Sequence, residues 1–333
     1  RVAFFNAAGE IDAEKMGRTA AKVESLESAL DSLEAHGADL GGDLAVDLEF
    51  GQPAGEGDGD MLGYSSVKVE HLAKDVDATR LSFGPPPQFD PVPFLDERTR
   101  QVYEHPIASA NFDKLAEVEV PRVRVRAGPS GKIAFLEKLD EVGRLGLVDV
   151  KEVPAGLGSG AFAIPKDLRK DRLIMDSRPF NCAEETQSRW LSSLGAASCL
   201  CGLMLEDQEV LLLSGEDLKD YFYSFTVGPE RLRRNAFAMQ VHPEQVQNLR
   251  AFEPQMRQSR ALVPCLSTMA MGDAQAVAVG QTAHLAVVLR SGAISLAEML
   301  VLRGQIPRSP FVAGLVLDDL IAMAVSYTHL RAH

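Results

Sequence analysis

Two adjacent aspartates, Asp318 and Asp319, divide an otherwise apolar stretch near the end of the chain. Residues 315–317 (Leu-Val-Leu) precede the pair and residues 320–323 (Leu-Ile-Ala-Met) follow it. Carboxylates between buried apolar runs are costly unless they lie at an exposed turn or bind a cation. The pattern therefore predicts a β-hairpin with buried arms and the two aspartates at its turn. Because aspartate favours turns, an ordinary surface turn also explains this pair when it is taken alone.

A second acidic cluster follows an earlier apolar run. Residues 210–213 (Val-Leu-Leu-Leu) come shortly before Glu216, Asp217 and Asp220. Two such clusters at strand ends, with a basic region upstream, favour a shared role over two incidental turns. Carboxylates that are brought together repel one another, and Mg²⁺ prefers hard oxygen ligands of this kind. Two ions held by three carboxylates can activate an attacking oxygen and stabilise a leaving one in phosphoryl transfer.

Apolar periodicity predicts the remaining elements of the globular part, which begins near residue 94. Helices are predicted over 132–144, 229–239 and 274–289, and strands over 161–164, 172–176, 210–213 and 314–317. Strands and helices in this irregular order predict an α+β fold with an antiparallel sheet rather than a doubly wound α/β fold.

Four segments in chain order carry a family resemblance. Residues 162–181 read FAIPKDLRKDRLIMDSRPFN and contain the rhythm Arg-x3-Asp-x-Arg-x2-Asn. The later segments are 217–225 (DLKDYFYSF), 269–275 (MAMGDAQ) and 317–319 (LDD). In this order they resemble the fingers segment and the first, second and third palm motifs of reverse transcriptases from retroviruses and LTR-type retroelements. The resemblance covers about residues 120–324, and four weak motifs in order are together specific.

The resemblance implies a right-hand polymerase fold of fingers and palm over residues 94–324, with an antiparallel palm sheet. It implies the activity of an RNA-directed DNA polymerase, a nucleotidyltransferase that extends a primer on an RNA or DNA template with dNTPs. In this family pattern Asp217 and Asp318 would bind two Mg²⁺ ions, or Mn²⁺ in their place, with Asp319 beside them. These three residues are therefore the catalytic and metal-binding candidates. The thumb would follow residue 324, so we expect the chain to be a truncated fragment of a retrotransposon enzyme.

The same resemblance implies four nucleotide-binding residues. Lys166 and Arg172 would hold the β- and γ-phosphates, where their charge opposes that of the pyrophosphate leaving group. Phe222 would be the bulky gate that excludes a ribose 2′-hydroxyl, and Gly272 would let the backbone approach the template–nucleotide pair. From the residues alone, Phe222 could equally belong to the core and Gly272 could simply end a helix.

The chain also departs from the family pattern. Val316 stands where the third motif usually has an aromatic residue, and Ala270-Met271 stand where the second usually has Pro-Gln. Asp273 adds a negative charge near the expected position of the incoming nucleotide. These differences bear on efficiency and fidelity more than on fold. Three arginines after the first palm motif fit either contact with nucleic-acid backbone or an exposed helix face: Arg231, Arg233 and Arg234.

Other function classes remain open from the sequence. A decayed or repurposed copy of the same fold would be a non-catalytic nucleic-acid-binding or protein-interaction module. A protein of another fold would have an incidental Asp-Asp turn and four motifs in order by chance. Within the polymerase fold, synthesis of RNA is less favoured because a small residue would be expected in place of Phe222.

The first third of the chain differs from the rest in charge. The formal net charge is −13, and residues 1–60 alone hold 4 basic and 14 acidic residues. The acidity of the whole chain therefore says little about what the later part binds. Residues 1–36 include an amphipathic helix over 12–36 with apolar residues at heptad spacing, suited to a partner helix or to its own domain. Residues 37–93 are rich in Gly, Pro and acidic residues and are predicted to be a linker.

The remaining features concern the chain's environment. The four cysteines match no usual zinc or disulfide pattern, which predicts buried thiols in a reducing intracellular compartment, cytoplasm or nucleus. No run of about 18 apolar residues and no signal peptide are present in the sequence given, so no membrane partner is expected. Residues 325–333 (VSYTHLRAH) match one translated frame of a sequencing adaptor, and we interpret them as an artefactual tail.

Overall fold

A computed structural model of the protein describes residues 73–195, 209–302, 304 and 307–327. Its β structure consists of short strands in three small sheets. The strands are β1 (Leu145–Asp149), β2 (Gly160–Pro165), β3 (Asp171–Asp176), β4 (Glu209–Asp217), β5 (Leu262–Leu266), β6 (Met299–Leu300), β7 (Phe311–Val316) and β8 (Asp319–Tyr327). β1 pairs with β5, and β2 pairs with β3, both antiparallel. The other four strands form one sheet in the order β4-β8-β7-β6. The described residues thus form a mixed α and β structure with small, mainly antiparallel sheets.

Most of the helices are short, and several begin at a proline, whose fixed φ suits the first helical position. The helices are α1 (Glu97–Glu104), α2 (Pro129–Glu141), α3 (Arg178–Asn181), α4 (Tyr221–Ser224), α5 (Pro229–Arg234), α6 (Pro243–Val246) and α7 (Ala276–Arg290). Helix α7 is the longest, with 15 residues that are mainly Ala, Val and Leu. It is buried on nearly all sides, as expected of a helix that is apolar all round.

The four-stranded sheet carries the predicted hairpin. β7 and β8 are antiparallel from Phe311↔Ala324 to Val316↔Asp319, so residues 317–318 form the turn. β8 then pairs antiparallel with β4 along nine residue pairs, ending at Asp217↔Asp319. The sheet is antiparallel as predicted, except that the two-residue strand β6 pairs parallel to β7.

Two apolar clusters form the main core. One lies between α7 and the four-stranded sheet and includes Leu285, Val288, Leu315 and Leu320. The other joins α2 to the β2–β3 hairpin and the β1–β5 pair, with Phe135 and Phe237 at its centre. These aromatic rings lie edge to face with centroids 5.4 Å apart.

Residues 73–93, which we expected to belong to the linker, instead pack on the globular part. Val76, Leu81 and Phe89 are buried, and Phe89 is only 1% exposed. The segment also makes single β-bridges, including Phe89↔Phe225. Its apolar residues lie too far apart for a periodic pattern, which is why composition alone indicated a linker. The Pro-rich part within it forms neither helix nor strand.

Several predictions fall outside the described residues. These are the helix over 12–36, the linker over 37–72 and residues 328–333 of the predicted tail. Residues 325–327 of that tail continue β8, where Val325 is the partner of Leu211. Of the cysteines, Cys265 is buried and Cys182 is half-buried, and both are free thiols. Within the described ranges no helix is long and apolar enough to cross a membrane.

Candidate functional site

The segments that carry the three predicted carboxylates meet at one end of the four-stranded sheet. Asp217 ends β4, Asp319 begins β8, and these two residues are opposite one another in the strand register. Asp318 lies beside them in the turn, where its carbonyl accepts a hydrogen bond from Leu218 N–H at 2.9 Å. Strand pairing therefore brings a segment near residue 217 next to one a hundred residues later.

Asp318 has the most perturbed environment of the three. Its side chain is half-buried, whereas Asp217 and Asp319 are exposed. Burial raises the pKa of Asp318, and the negative charges of Asp319 and Asp217 raise it further, while Arg172 opposes the change. These charges are thus close enough to interact. A cation placed between them would relieve both the repulsion and the cost of burial.

The carboxylates do not form a closed metal cage. Among the described residues, no group of three or more His, Cys, Asp or Glu side chains lies close enough to hold a metal ion. The donor set itself suits Mg²⁺, because it consists of hard carboxylate oxygens on paired strands. The backbone pairing sets the separation of the two strands, while the side-chain torsions of Asp217 and Asp319 remain free to turn toward a shared ion.

The turn that carries Asp318 is held by helix α7. Leu317 has a φ of 57°, a left-handed conformation that is rare for a bulky residue. Its N–H donates to Gln281 Oε1 at 2.8 Å, and His284 Nδ1 donates to its carbonyl at 2.6 Å. Burial lowers the pKa of His284 to about 4, so the ring is neutral near pH 7.

Sequence reasoning missed Gln281 and His284, although a signal was present. The two side chains are three residues apart, so they lie on one face of a helix whose other buried residues are apolar or glycine. Both are completely buried. Buried polar side chains in such a helix need partners, which is the feature that indicates a constrained site nearby.

The basic hairpin β2–β3 lies near the same end of the sheet. Lys166, just after β2, places Nζ 3.1 Å from Oδ1 of Asp220, three residues beyond Asp217. Arg172 is exposed on β3, opposite Ile164 in the register, and its charge reaches Asp318. Lys166 therefore contacts an acidic residue of the segment 217–225, and the charge of Arg172 lowers the pKa of Asp318.

Phe222 is partly a core residue. It is half-buried and packs on the apolar cluster around α7, with its ring centroid 5.5 Å from that of Tyr221. A Cβ atom at Gly280 would come within 3.0 Å of the Phe222 ring. The ring of Phe222 can therefore pack against α7 because Gly280 has no side chain. The rest of the ring is exposed, and its role as a gate against the 2′-hydroxyl stays a prediction.

Gly272 is required where the second motif meets β3. Its φ is 109°, and a Cβ atom there would lie 2.1 Å from the carbonyl oxygen of Met175. Met175 N–H donates to Met271 O at 3.1 Å, and Asn181 Nδ2 donates to Gly272 O at 2.9 Å. The close backbone approach at this glycine is thus to β3, and its expected approach to a template–nucleotide pair stays a prediction.

Two of the three arginines after the first palm motif are buried, which contradicts both interpretations of them. Arg231 Nη1 lies 2.7 Å from Asp273 Oδ2, and both side chains are fully buried. Arg234 lies 2.7 Å from Glu184 and 3.3 Å from the other oxygen of Asp273. The negative charge of Asp273 is therefore paired with two buried arginines. Arg233 alone remains partly exposed, 3.6 Å from Glu152.

Comparisons with known proteins give little further information. No family model matches the chain, and no curated protein matches it. Among solved structures, the chain is weakly similar to one described as "Structure of the foamy viral protease-reverse transcriptase dRH in complex with ds DNA". The TM-score is 0.34 and the identity is 12%, over 75% of this chain and 31% of that one. The chain thus spans less than a third of that neighbour.

Proposed function

We propose that this chain is the fingers and palm part of an RNA-directed DNA polymerase of the retroviral or LTR-retroelement kind. The observation that carries the proposal is the strand register Asp217↔Asp319, with Asp318 in the adjoining turn. It joins the first and third motifs, and the pairing of Met175 with Met271 joins the fingers segment to the second. Four motifs that are scattered in the sequence are thus neighbours in pairs.

The reaction assigned to the site is nucleotidyl transfer from a dNTP to a primer paired with an RNA or DNA template. Asp217 and Asp318, with Asp319 beside them, would hold two Mg²⁺ or Mn²⁺ ions. When bound, such ions activate the primer 3′-hydroxyl and stabilise the pyrophosphate that leaves the α-phosphate. Lys166 and Arg172 would attract the triphosphate. Lys166 would exchange its contact with Asp220 for one with a phosphate oxygen.

The first test is single-nucleotide incorporation by the 333-residue chain with Mg²⁺ or Mn²⁺. Primer–template is supplied at a concentration high enough to compensate for weak binding. We expect Asp318→Asn to lower the rate by about 100-fold or more, because it removes a carboxylate that binds the ions. Glu216→Gln is the matched control, since Glu216 is the acidic neighbour of Asp217 on the same strand. It should retain the wild-type rate.

Two outcomes would contradict the proposal. One is a folded wild-type chain that binds primer–template but incorporates nothing with either ion, which would favour the non-catalytic nucleic-acid-binding module. The other is an equal loss of incorporation rate in Asp318→Asn and Glu216→Gln. The rate would then depend on the total negative charge near β4 and not on the assigned carboxylates.

The second test concerns selection of the sugar. Phe222→Val should reduce the preference for dNTPs over rNTPs by about tenfold or more, because a smaller side chain leaves room for the 2′-hydroxyl. Incorporation of each nucleotide is measured under the same conditions, with the melting temperature as a check on packing. An unchanged preference in a folded variant would assign Phe222 to the core alone.

A further inference from the structure

Both backbone polar groups of Leu317 are bound by side chains of helix α7. The N–H donates to Gln281 Oε1 at 2.8 Å, and the carbonyl accepts from His284 Nδ1 at 2.6 Å. We call Gln281 and His284 the α7 clamp. A left-handed leucine is strained and persists only where its surroundings determine it. The clamp supplies those surroundings at a turn of only two residues.

The α7 clamp also holds the strand that leads into the turn. Gln281 Nε2 donates to the carbonyls of Leu315 at 3.3 Å and of Ser193 at 3.2 Å. One buried amide therefore contacts the backbone at both Leu315 and Leu317. Both clamp residues are completely buried on the longest helix described, so they form a rigid support and not a flexible surface contact.

The position of Leu317 is passed on directly to the carboxylates. Asp318 is its covalent neighbour, and the carbonyl of Asp318 accepts from Leu218 N–H at 2.9 Å. Leu218 in turn follows Asp217 in the chain. A shift of the turn would therefore move Asp318 relative to Asp217 and change the space in which an ion could lie between them.

The clamp is not explained by packing alone. An apolar side chain would fill the same space without the cost of burying polar atoms. His284 Nε2 is buried and has no hydrogen-bond partner among the described residues, which adds a desolvation cost that an apolar residue would avoid. The hydrogen bonds to Leu317 are the contacts that offset this cost.

We propose that Gln281 and His284 are positioning residues that set the geometry of the Leu317–Asp318 turn and thereby of the metal-binding carboxylates. This inference rests on the proposed function for its catalytic meaning. The residues contact neither substrate nor ion in this assignment and act through the backbone of Leu317.

The test compares His284→Leu with His284→Asn in the full chain. Asparagine can place an amide donor near the position of Nδ1, whereas leucine retains bulk and lacks a donor. His284→Leu removes the hydrogen bond to the Leu317 carbonyl, which should make opening of the turn easier. Hydrogen exchange of the Leu317 amide should therefore accelerate about tenfold, although its own bond to Gln281 is kept. The Mg²⁺ concentration for half-maximal incorporation should rise about tenfold, while KM for dNTP stays within about twofold. His284→Asn should restore both.

Two further variants complete the experiment. Thr282→Val, on the same helix between the clamp residues, is the control and should leave both measurements unchanged. Gln281→Leu removes the acceptor of the Leu317 N–H and provides the second test if His284→Leu does not fold. It should accelerate exchange of the same amide by a similar factor.

The outcomes separate this inference from the proposed function. Unchanged exchange at Leu317 in folded clamp variants overturns the clamp, and so does faster exchange with an unchanged Mg²⁺ requirement. If the wild type incorporates no nucleotide, the proposed function fails and Mn²⁺ binding is measured by electron paramagnetic resonance. Weaker Mn²⁺ binding together with faster exchange then supports the clamp. Equal Mn²⁺ binding in wild type and His284→Leu overturns it.

Discussion

Asp318 illustrates how one residue combines features that are separately unremarkable. Aspartate in a turn is ordinary, and Asp319 is exposed as such a residue should be. Asp318 is half-buried near two further carboxylates, and both conditions raise its pKa. The environment of Asp318 is therefore the residue-level reason to test the site for cations.

The environment of His284 predicts a pH dependence of stability. Burial lowers its pKa from 6.5 to about 4, so the unfolded chain takes up a proton at a higher pH than the folded chain. This contribution to stability is fully present above about pH 6.5 and is lost as the pH falls toward 4. Between about pH 7 and pH 4.5, the wild type should lose about 2–3 kcal/mol more stability than His284→Asn.

Urea unfolding of both proteins at the two pH values measures this difference. Using the difference between the two proteins removes the contributions of the carboxylates, which are common to both. If the two proteins lose equal stability over this range, the imidazole is not held neutral in the folded state.

At the scale of elements, Gly272 joins the second motif to β3. Its φ is positive, and an added Cβ atom would lie only 2.1 Å from Met175 O, so there is no room for a side chain. We expect Gly272→Ala to lower the free energy of unfolding by about 2–4 kcal/mol, from backbone strain and displacement of β3. Denaturant unfolding measures this loss. Gly292→Ala is the control, because Gly292 also has a positive φ but an added Cβ atom there would meet no atom within 4 Å.

The control separates the cost of a left-handed backbone from the cost of the clash with Met175. Gly292→Ala should show only the cost of a left-handed alanine, about 1 kcal/mol. Equal losses in the two variants would mean that the contact with Met175 relaxes easily. The second motif would then not be tightly attached to β3.

The predicted elements are confirmed where local pattern and burial coincide. The hairpin around Asp318 forms with its turn at residues 317–318, and the predicted helix over 274–289 appears as α7. The helix predicted over 229–239 ends at Arg234. Asn235 Nδ2 donates to the carbonyls of Leu266 and Thr268, and the chain then pairs with β5 through Ala236. These contacts are with a strand that is distant in the sequence. Apolar periodicity within the helix therefore could not predict where the helix ends.

At the scale of the whole molecule, a buried ionic network connects parts that are far apart in sequence. Arg231 on α5 binds Asp273 and donates to the carbonyls of Tyr103 and Val102 near the end of α1. We expect Arg231→Met to lower the free energy of unfolding by about 3 kcal/mol, because it leaves buried acceptors without a donor. Thermal or urea unfolding measures the loss.

Arg233→Met on the same helix is the matched control. Arg233 is partly exposed and its contact with Glu152 is long, so the change should stay within about 0.5 kcal/mol. A small effect of Arg231→Met would show that the network contributes little to joining α1 and α5. The contact between these helices would then depend on apolar packing.

The sequence by itself determined which segments are apolar, where strands and helices alternate, and where carboxylates follow strands, since these depend on neighbouring residues. The approach of Asp217 to Asp319 was expected from the family resemblance, and the strand register shows it. The tertiary structure alone decided that Arg231 and Arg234 are buried and that residues 73–93 pack on the core. It also decided that α7 holds Leu317. A buried polar group is stable only with a partner in space. That partner can lie a hundred residues away, and periodicity within one segment carries no information about it.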